Sequence, residues 1–196
     1  MAQNIHKIIS CDPASTRNLG WSILELGDVI SCMAGTFVVP DTQEVWQTYW
    51  PIYQFMDDLL TKEHPDVVVI EKTSSFRSSK AGAFITGQVS HCMGVIFAVC
   101  GKHNMNVEFA FPTSVKMQVA GHGKATKSQI VKAVKQFVPN IQGQNLSEHS
   151  YDAVANIIFY LLTTGKIEPL VEYPWLTTKQ QKTRSVRLKN GKKELG

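Results

Sequence analysis

The chain has 196 residues, 43% of them hydrophobic and 18% charged, with a mean hydropathy of −0.09, a composition that fits one globular domain and excludes a disordered or fibrous protein. No apolar run approaches the roughly 18 residues of a membrane span, and MAQNIHKIIS has too short an apolar stretch for a signal peptide, so a soluble, intracellular protein with no membrane partner is expected. The formal net charge is +4, but residues 177 to 196 carry seven Lys/Arg against Glu194 alone, which leaves 13 basic and 15 acidic residues in the body that precedes them.

IHKIISC (residues 5 to 11) reads as a first strand, followed by Asp12, Pro13 and the polar turn STRN. GWSILEL and VISCMAGTFVV supply two further strands. From Asp41 to His64 apolar residues recur at helical spacing after a candidate cap at Asp41, with Pro51 expected to kink or split the helix. Its aromatic residues Trp46, Tyr49, Trp50 and Tyr53 read as core or interface rather than as a base-stacking platform. The unbroken run Val67-Val68-Val69-Ile70 has no polar face and suits a central strand covered on both sides, with Glu71 at its end. Lys80 to Gly101 is helical, with a small-residue side formed by Gly82, Gly87, Ser90, Gly94 and Ala98.

MNVEFAF is a fifth strand ended by Pro112, and TSVKMQVAGHGKAT leads into helices over Ser128 to Phe137 and Ser147 to Leu162. The expected organisation is a domain over residues 1–175 and a basic, mobile tail over 176–196. Cys11, Cys32, Cys92 and Cys100 lie in apolar segments without CxxC spacing, so buried free thiols are expected. Residues 72 to 135 hold nine Lys/Arg and one acid, Glu108. A basic surface of this kind, set in a slightly acidic body, points to a polyanionic partner.

Three groups of residues carry candidate chemistry. Asp12 and Glu71 each end a buried apolar strand, where a carboxylate is costly unless it meets an edge, a cation or a partner. Hard divalent cations such as Mg²⁺ or Mn²⁺ take oxygen ligands of this kind; a turn cap at Asp12 and a surface pair between Glu71 and Lys72 account for them equally. His149 and Asp152, three apart at the start of the last helix, share one helix face. They are candidate ligands, or acids placed near a helix N-terminus beside the cap Ser147. In GHGKATK, Gly121 and Gly123 let backbone amides approach a phosphate, with Lys124 and Lys127 beside them.

These residues resemble the RuvC-type Holliday junction resolvases of the RNase H-like superfamily. The pieces that carry the likeness are IISCDPASTRNLGWSIL, DVVVIEK, GQVSHCMGVI, SVKMQVAGHGKATKSQIV and HSYDAVANIIFY, in the family's order across residues 5 to 162. The resemblance implies an α/β, RNase H-like fold with a five-stranded mixed sheet flanked by helices. It implies that Asp12, Glu71 and Asp152 are metal-binding carboxylates, that His149 stands where members have Asp or His, and that Lys116 and Lys127 hold the DNA backbone. Phe76 matches an aromatic that stacks on a base at the crossover; Arg77 and Lys80 are expected on the same face. Ala14 stands where the family has Gly, and the turn from Asp12 to Gly20 is one residue longer, departures that suggest a divergent, phage-type branch.

The activity implied is a Mg²⁺- or Mn²⁺-dependent endonuclease that resolves Holliday junctions by paired symmetric nicks. Two cations about 3.5 to 4 Å apart perform such hydrolysis. In that scheme Asp12 bridges both, Glu71 and Asp152 each complete one coordination sphere, His149 ligates or orients water at the second, and Lys127 steadies the scissile phosphate. A two-fold symmetric substrate calls for a homodimer, with the Gly82 to Gly101 helix as the candidate contact, acting in the cytoplasm of a bacterial or phage-infected cell. A branched-DNA or fork debranching nuclease of the same fold is the first alternative. An actin-like ATPase is a remote one, since it needs two lobes where the length leaves room for one.

Overall fold

A computed structural model describes residues 5–13, 17–41, 44–72, 80–144, 146–170, 172–178 and 181, with only the backbone described at 45, 80–86 and 144. Three consecutive strands, β1 (Lys7–Asp12), β2 (Asn18–Glu25) and β3 (Ser31–Val38), form an antiparallel meander. A 3₁₀ turn over Val45–Thr48 leads into α1 (Tyr49–Glu63), then β4 (Val67–Glu71), α2 (Lys80–Lys102) and β5 (Val107–Ala110). They are followed by α3 (Pro112–Ala120), α4 (Lys127–Phe137), β6 (Gln142–Gln144) and α5 (Glu148–Thr163). The six strands are ordered β5-β4-β1-β2-β3-β6, with β4 parallel to β1 and β5, and β6 parallel to β3.

Side-chain alternation along the central strands decides which helices cover which face. Ile8, Val67 and Val69 point into a core shared with Val115, Ile130, Val134, Val154 and Ile157 of α3, α4 and α5. Ile9, Cys11, Val68 and Ile70 point the other way, against Ile52, Met56 and Leu60 of α1 and Cys92, Ile96 and Val99 of α2. The buried Val67-Val68-Val69-Ile70 run is thus covered on both sides, as its composition requires. All four cysteines are free and buried. Because Cys11 and Ile70 face α1 and α2, the next residues, Asp12 and Glu71, face α5.

The structure corrects several expectations. Among the described residues the sheet has six strands, not five: the short, polar Gln142–Gln144 segment lacks the alternation that marks a strand, and pairs with β3 because residue 143 is glycine. A Cβ there would lie 1.8 Å from the Ala34 carbonyl oxygen. TSVKMQVA is a helix rather than a connection, started by Pro112 at its first position and ended by Gly121 at φ +85°. Among the described residues the cap is Glu44, which starts the 3₁₀ turn, and Asp41 pairs instead with Arg17. Pro51 neither kinks nor splits α1, because it sits in the first turn, where backbone N–H groups have no intrahelical partner. Trp46 and Trp50 are exposed rather than core, Trp50 stacking on Tyr53.

Candidate active site

Strand register brings the first two carboxylates together. Cys11 is paired with Ile70 in the parallel β1–β4 ladder, so Asp12 and Glu71 leave the C-terminal ends of neighbouring strands on the same face. The third comes from α5, whose first turn is fastened across the sheet. Ser147 caps the helix through the His149 backbone N–H, at 3.2 Å. Thr36 Oγ1 on β3 lies 2.6 Å from Ser147 Oγ and 2.9 Å from Ser150 Oγ. Gly20, opposite Asp12 in the β1–β2 ladder, allows this approach: a Cβ there would stand 2.2 Å from the His149 carbonyl oxygen.

His149 and Asp152 therefore project over the strand ends. His149 Nδ1 lies 3.3 Å from Asp12 Oδ2, and one ligand atom from each of Asp12, His149 and Asp152 falls within 4.8 Å of the others. Asp12, Glu71, His149 and Asp152 line a cleft of about 400 Å³ with Lys116, Lys127, Pro112, Val115 and Ile130. Lys127, the first residue of α4 after the Thr126–Gln129 capping box, reaches Asp152 Oδ2 at 3.3 Å and Glu148 Oε2 at 3.1 Å. Sequence spacing places Glu148 off the ligand face; the structure makes it the second anion holding that lysine.

The electrostatics are those of crowded carboxylates. Burial, then the charges of Asp12 and Asp152, push Glu71 up to about 8 against the pull of Lys127 and Lys116. Burial and Asp12 likewise raise Asp152, with Lys127 opposing. The hydrogen bond to Asp12 holds the His149 imidazole above its ordinary range, although burial works against it. Burial lowers Lys127, but Asp152 and Glu148 outweigh it and the net shift is upward. Converging oxygen donors that resist sharing their negative charge are the donor set a hard divalent cation takes, so the residues present fit one.

Of the remaining sequence candidates, Lys116 lines the cleft and Lys124 is exposed on the turn between α3 and α4. Lys80 opens α2, and its side chain lies outside the described residues, as do Ala14, Phe76 and Arg77. Thr36 and Gly20 escape sequence reasoning as site residues because their contacts are with a segment more than a hundred positions away.

A six-stranded sheet with acidic residues from β1, β4 and α5 meeting over one cleft beside two lysines is an arrangement suited to divalent-cation chemistry on a phosphodiester. The profile of the family "Crossover junction endodeoxyribonuclease RuvC" matches residues 8–160, and the chain belongs to this family. It is 28% identical over 159 residues to the crossover junction endodeoxyribonuclease RuvC of Rickettsia typhi, covering 78% of this chain and 94% of the relative. The Dictyoglomus turgidum protein of the same name is 28% identical over 156 residues, covering 79% and 95%. The fold is similar to that of Thermus thermophilus RuvC in complex with Holliday junction substrate, with a TM-score of 0.68 at 19% identity over 84% of this chain and 99% of that one. Family membership sets the actin-like ATPase reading aside, and no helix among the described residues is long and apolar enough to cross a membrane.

Proposed function

We infer that this chain cuts Holliday junctions by paired symmetric nicks, using two Mg²⁺ or Mn²⁺ ions held by Asp12, Glu71, Asp152 and His149. The observation that carries the reading is the meeting of three carboxylates from β1, β4 and α5, one of them pushed up to about 8, in a single cleft lined by Lys116 and Lys127. Divalent cations there supply charge neutralisation at phosphorus, an activated water and stabilisation of the leaving 3′-oxygen.

The chain's own residues do the rest. Asp12, most deeply buried of the set at 5% exposed, would be shared by the ions, and Glu71 from β4 and Asp152 from α5 would each complete the hold on one of them. His149 accompanies Asp152 and orients water. Lys127 exchanges its hold on Asp152 for the scissile phosphate, and Lys116 holds the neighbouring backbone. Phe76, Arg77, Lys80 and Lys124 extend the DNA-binding surface, Phe76 by stacking at the crossover.

The substrate's two-fold symmetry implies a homodimer. The exposed side of α2 supports it, since a Cβ at Gly87, Gly94 or Gly101 would meet nothing within 4 Å, leaving room for a second backbone. A 1–175 nuclease domain with a basic tail, acting on DNA in the cytoplasm of a bacterial or phage-infected cell, completes the reading. The phage-type placement rests on the departures at Ala14 and in the Asp12 to Gly20 turn.

The test uses four-way junctions, Y-forks and linear duplex of matched sequence with Mg²⁺ or Mn²⁺, and Asp12→Asn as control. Paired nicks confined to the junction and absent with the variant are expected. Equal cutting of forks would establish the debranching nuclease instead, and binding without cutting would remove the enzymatic reading.

A further inference from the structure

Three polar side chains in the core stand apart from their apolar surroundings. Ser10, Ser22 and Asn156 are fully buried, and Ser10 Oγ, Ser22 Oγ and both atoms of the Asn156 amide have no hydrogen-bond partner among the described residues. Buried polar atoms in folded proteins are paired with protein or with an internal water, and burying them unpaired is costly where an apolar side chain would not be. The nuclease reading gives none of the three a task.

All three lie at one depth beneath the carboxylates. Ile8 and Leu24 point to the α5 side of the sheet, and Ile9 and Ile23 point away from it, so by alternation Ser10 and Ser22 face α5. They stand opposite one another in the β1–β2 ladder, a pairing that sets Cβ atoms about 4.5–5.5 Å apart. Helix α5 runs antiparallel to β1: His149 in its first turn meets Asp12 at the C-terminal end of the strand, and Lys166, beyond its last turn, acts on Asp66 at the other end. Ser10 is two strand residues below Asp12, about 7 Å. Asn156 is four helix residues below Asp152, about 6 Å and on the same face. Ala153, one turn below His149, is small and fully buried, so side chains of little volume meet between helix and sheet at this depth.

We propose that Ser10, Ser22 and Asn156 enclose an internal water that ties β1 and β2 to α5 beneath the metal-binding carboxylates, and that the three are positioning residues for Asp12 and Asp152. The inference rests on the nuclease reading above. An internal water makes about three hydrogen bonds, the number these side chains offer, and the Asn156 amide supplies a donor or an acceptor as needed. Carboxylates crowded at the strand ends repel one another across the gap between β1 and α5. Apolar packing is non-directional and does not fix the helix against that force, whereas a hydrogen-bonded bridge fixes both distance and angle. Mg²⁺ demands near-ideal octahedral placement of its ligands, so a helix held to the sheet in this way keeps Asp152 where the ion requires it.

The first measurement needs no metal. Ser10→Ala, Asn156→Leu and the double variant are unfolded by denaturant in EDTA. With a shared water, each single variant strands the other's partner and is destabilised, and the double variant loses less than the sum of the two. Apolar replacements that stabilise the chain, or whose effects simply add, would overturn the bridge.

The second reads the positioning role. At a temperature where the variant is fully folded, Asn156→Leu should need on the order of 10-fold more Mg²⁺ than wild type, both for half-maximal junction cutting and in calorimetric titration of the DNA-free protein. Gel-shift affinity for the junction in EDTA should stay as it was. Should Asn156→Leu fail to fold, Ser22→Ala, which removes one oxygen, is read in the same way. An unaltered Mg²⁺ requirement would show that the three side chains serve stability alone. A wild-type chain that cuts no junctions overturns the nuclease reading, and the cycle in EDTA still decides whether the water is shared.

Discussion

The two ends of the β1–β4 pair treat charge in opposite ways. At the N-terminal end, Lys7 Nζ bridges Glu25 at 2.6 Å and Glu63 at 3.0 Å, while Asp66 accepts from the backbone N–H groups of His6 and Lys7 at 2.8 Å each. The hydrogen bond from Lys7 holds Glu63 below the usual carboxylate range. Burial works against Asp66, but the two backbone donors outweigh it and its shift is also downward. At the C-terminal end, Asp12, Glu71 and Asp152 converge, and Glu71 and Asp152 are pushed up. The same strands thus carry a matched set of charges where only stability is at stake, and an unmatched set where a cation and a phosphodiester are to be bound.

The largest effect expected from breaking this contrast is on catalysis. Asp12→Asn, Glu71→Gln and Asp152→Asn should each lower junction cutting by on the order of 10³-fold or more, the loss of several kcal/mol of transition-state stabilisation, while junction binding in a gel-shift assay persists. An active Asp152→Asn enzyme would remove that carboxylate from the mechanism.

Next comes the support of α5. Gly20→Ala puts a methyl group into the His149 backbone. The expected cost is about 1–3 kcal/mol of stability, measured by denaturant unfolding, together with weakened cutting because His149 and Asp152 are displaced.

The titration should then separate the two ends. Glu71 binds its proton more tightly in the folded chain than its ordinary 4.5, so metal-free stability is greatest on the acid side of this range and falls as pH rises from about 4.5 to about 8. Glu63 and Asp66, shifted down, contribute stability that is present above the usual carboxylate range and lost on further acidification. Thermal melts in EDTA across pH 3 to 9 should show both slopes, and added Mg²⁺ should abolish the alkaline one alone. A flat alkaline limb in EDTA would contradict the crowding of the carboxylates.

Thr36→Val removes the hydroxyl that meets Ser147 and Ser150. A loss of about 1 kcal/mol is expected, with a lower kcat that Thr36→Ser restores. The smallest effect belongs to the paired end: Lys7→Met should change stability by no more than about 1 kcal/mol and leave cutting as it was, and a large drop in activity would show that the two ends are coupled.

Local pattern is enough to mark the strand ends and one helix face. Asp12 and Glu71 stand out because a carboxylate directly follows an unbroken apolar run, and His149 with Asp152 because three residues span one helical turn. The helix α3 reads in the sequence as part of a connection, because its basic, glycine-rich continuation outweighs the local signals of Pro112 at its start and Gly121 at its end. The strand β6 is not legible either, since three polar residues carry no period and their pairing depends on the missing side chain of Gly143.

By itself, then, the sequence determined the strands and helices whose burial imposes a period, the acidic residues that interrupt apolar runs, and the basic tail. Only the tertiary structure decided that Asp12 and Glu71 leave neighbouring strands, that Gly20 and Thr36 hold α5 above them, that Glu148 shares Lys127, and that Tyr173 and Trp175 close the end of α3. Local propensity acts over a few residues, whereas these interactions join positions dozens to more than a hundred apart, and it is register and side-chain volume across the folded core that bring them together.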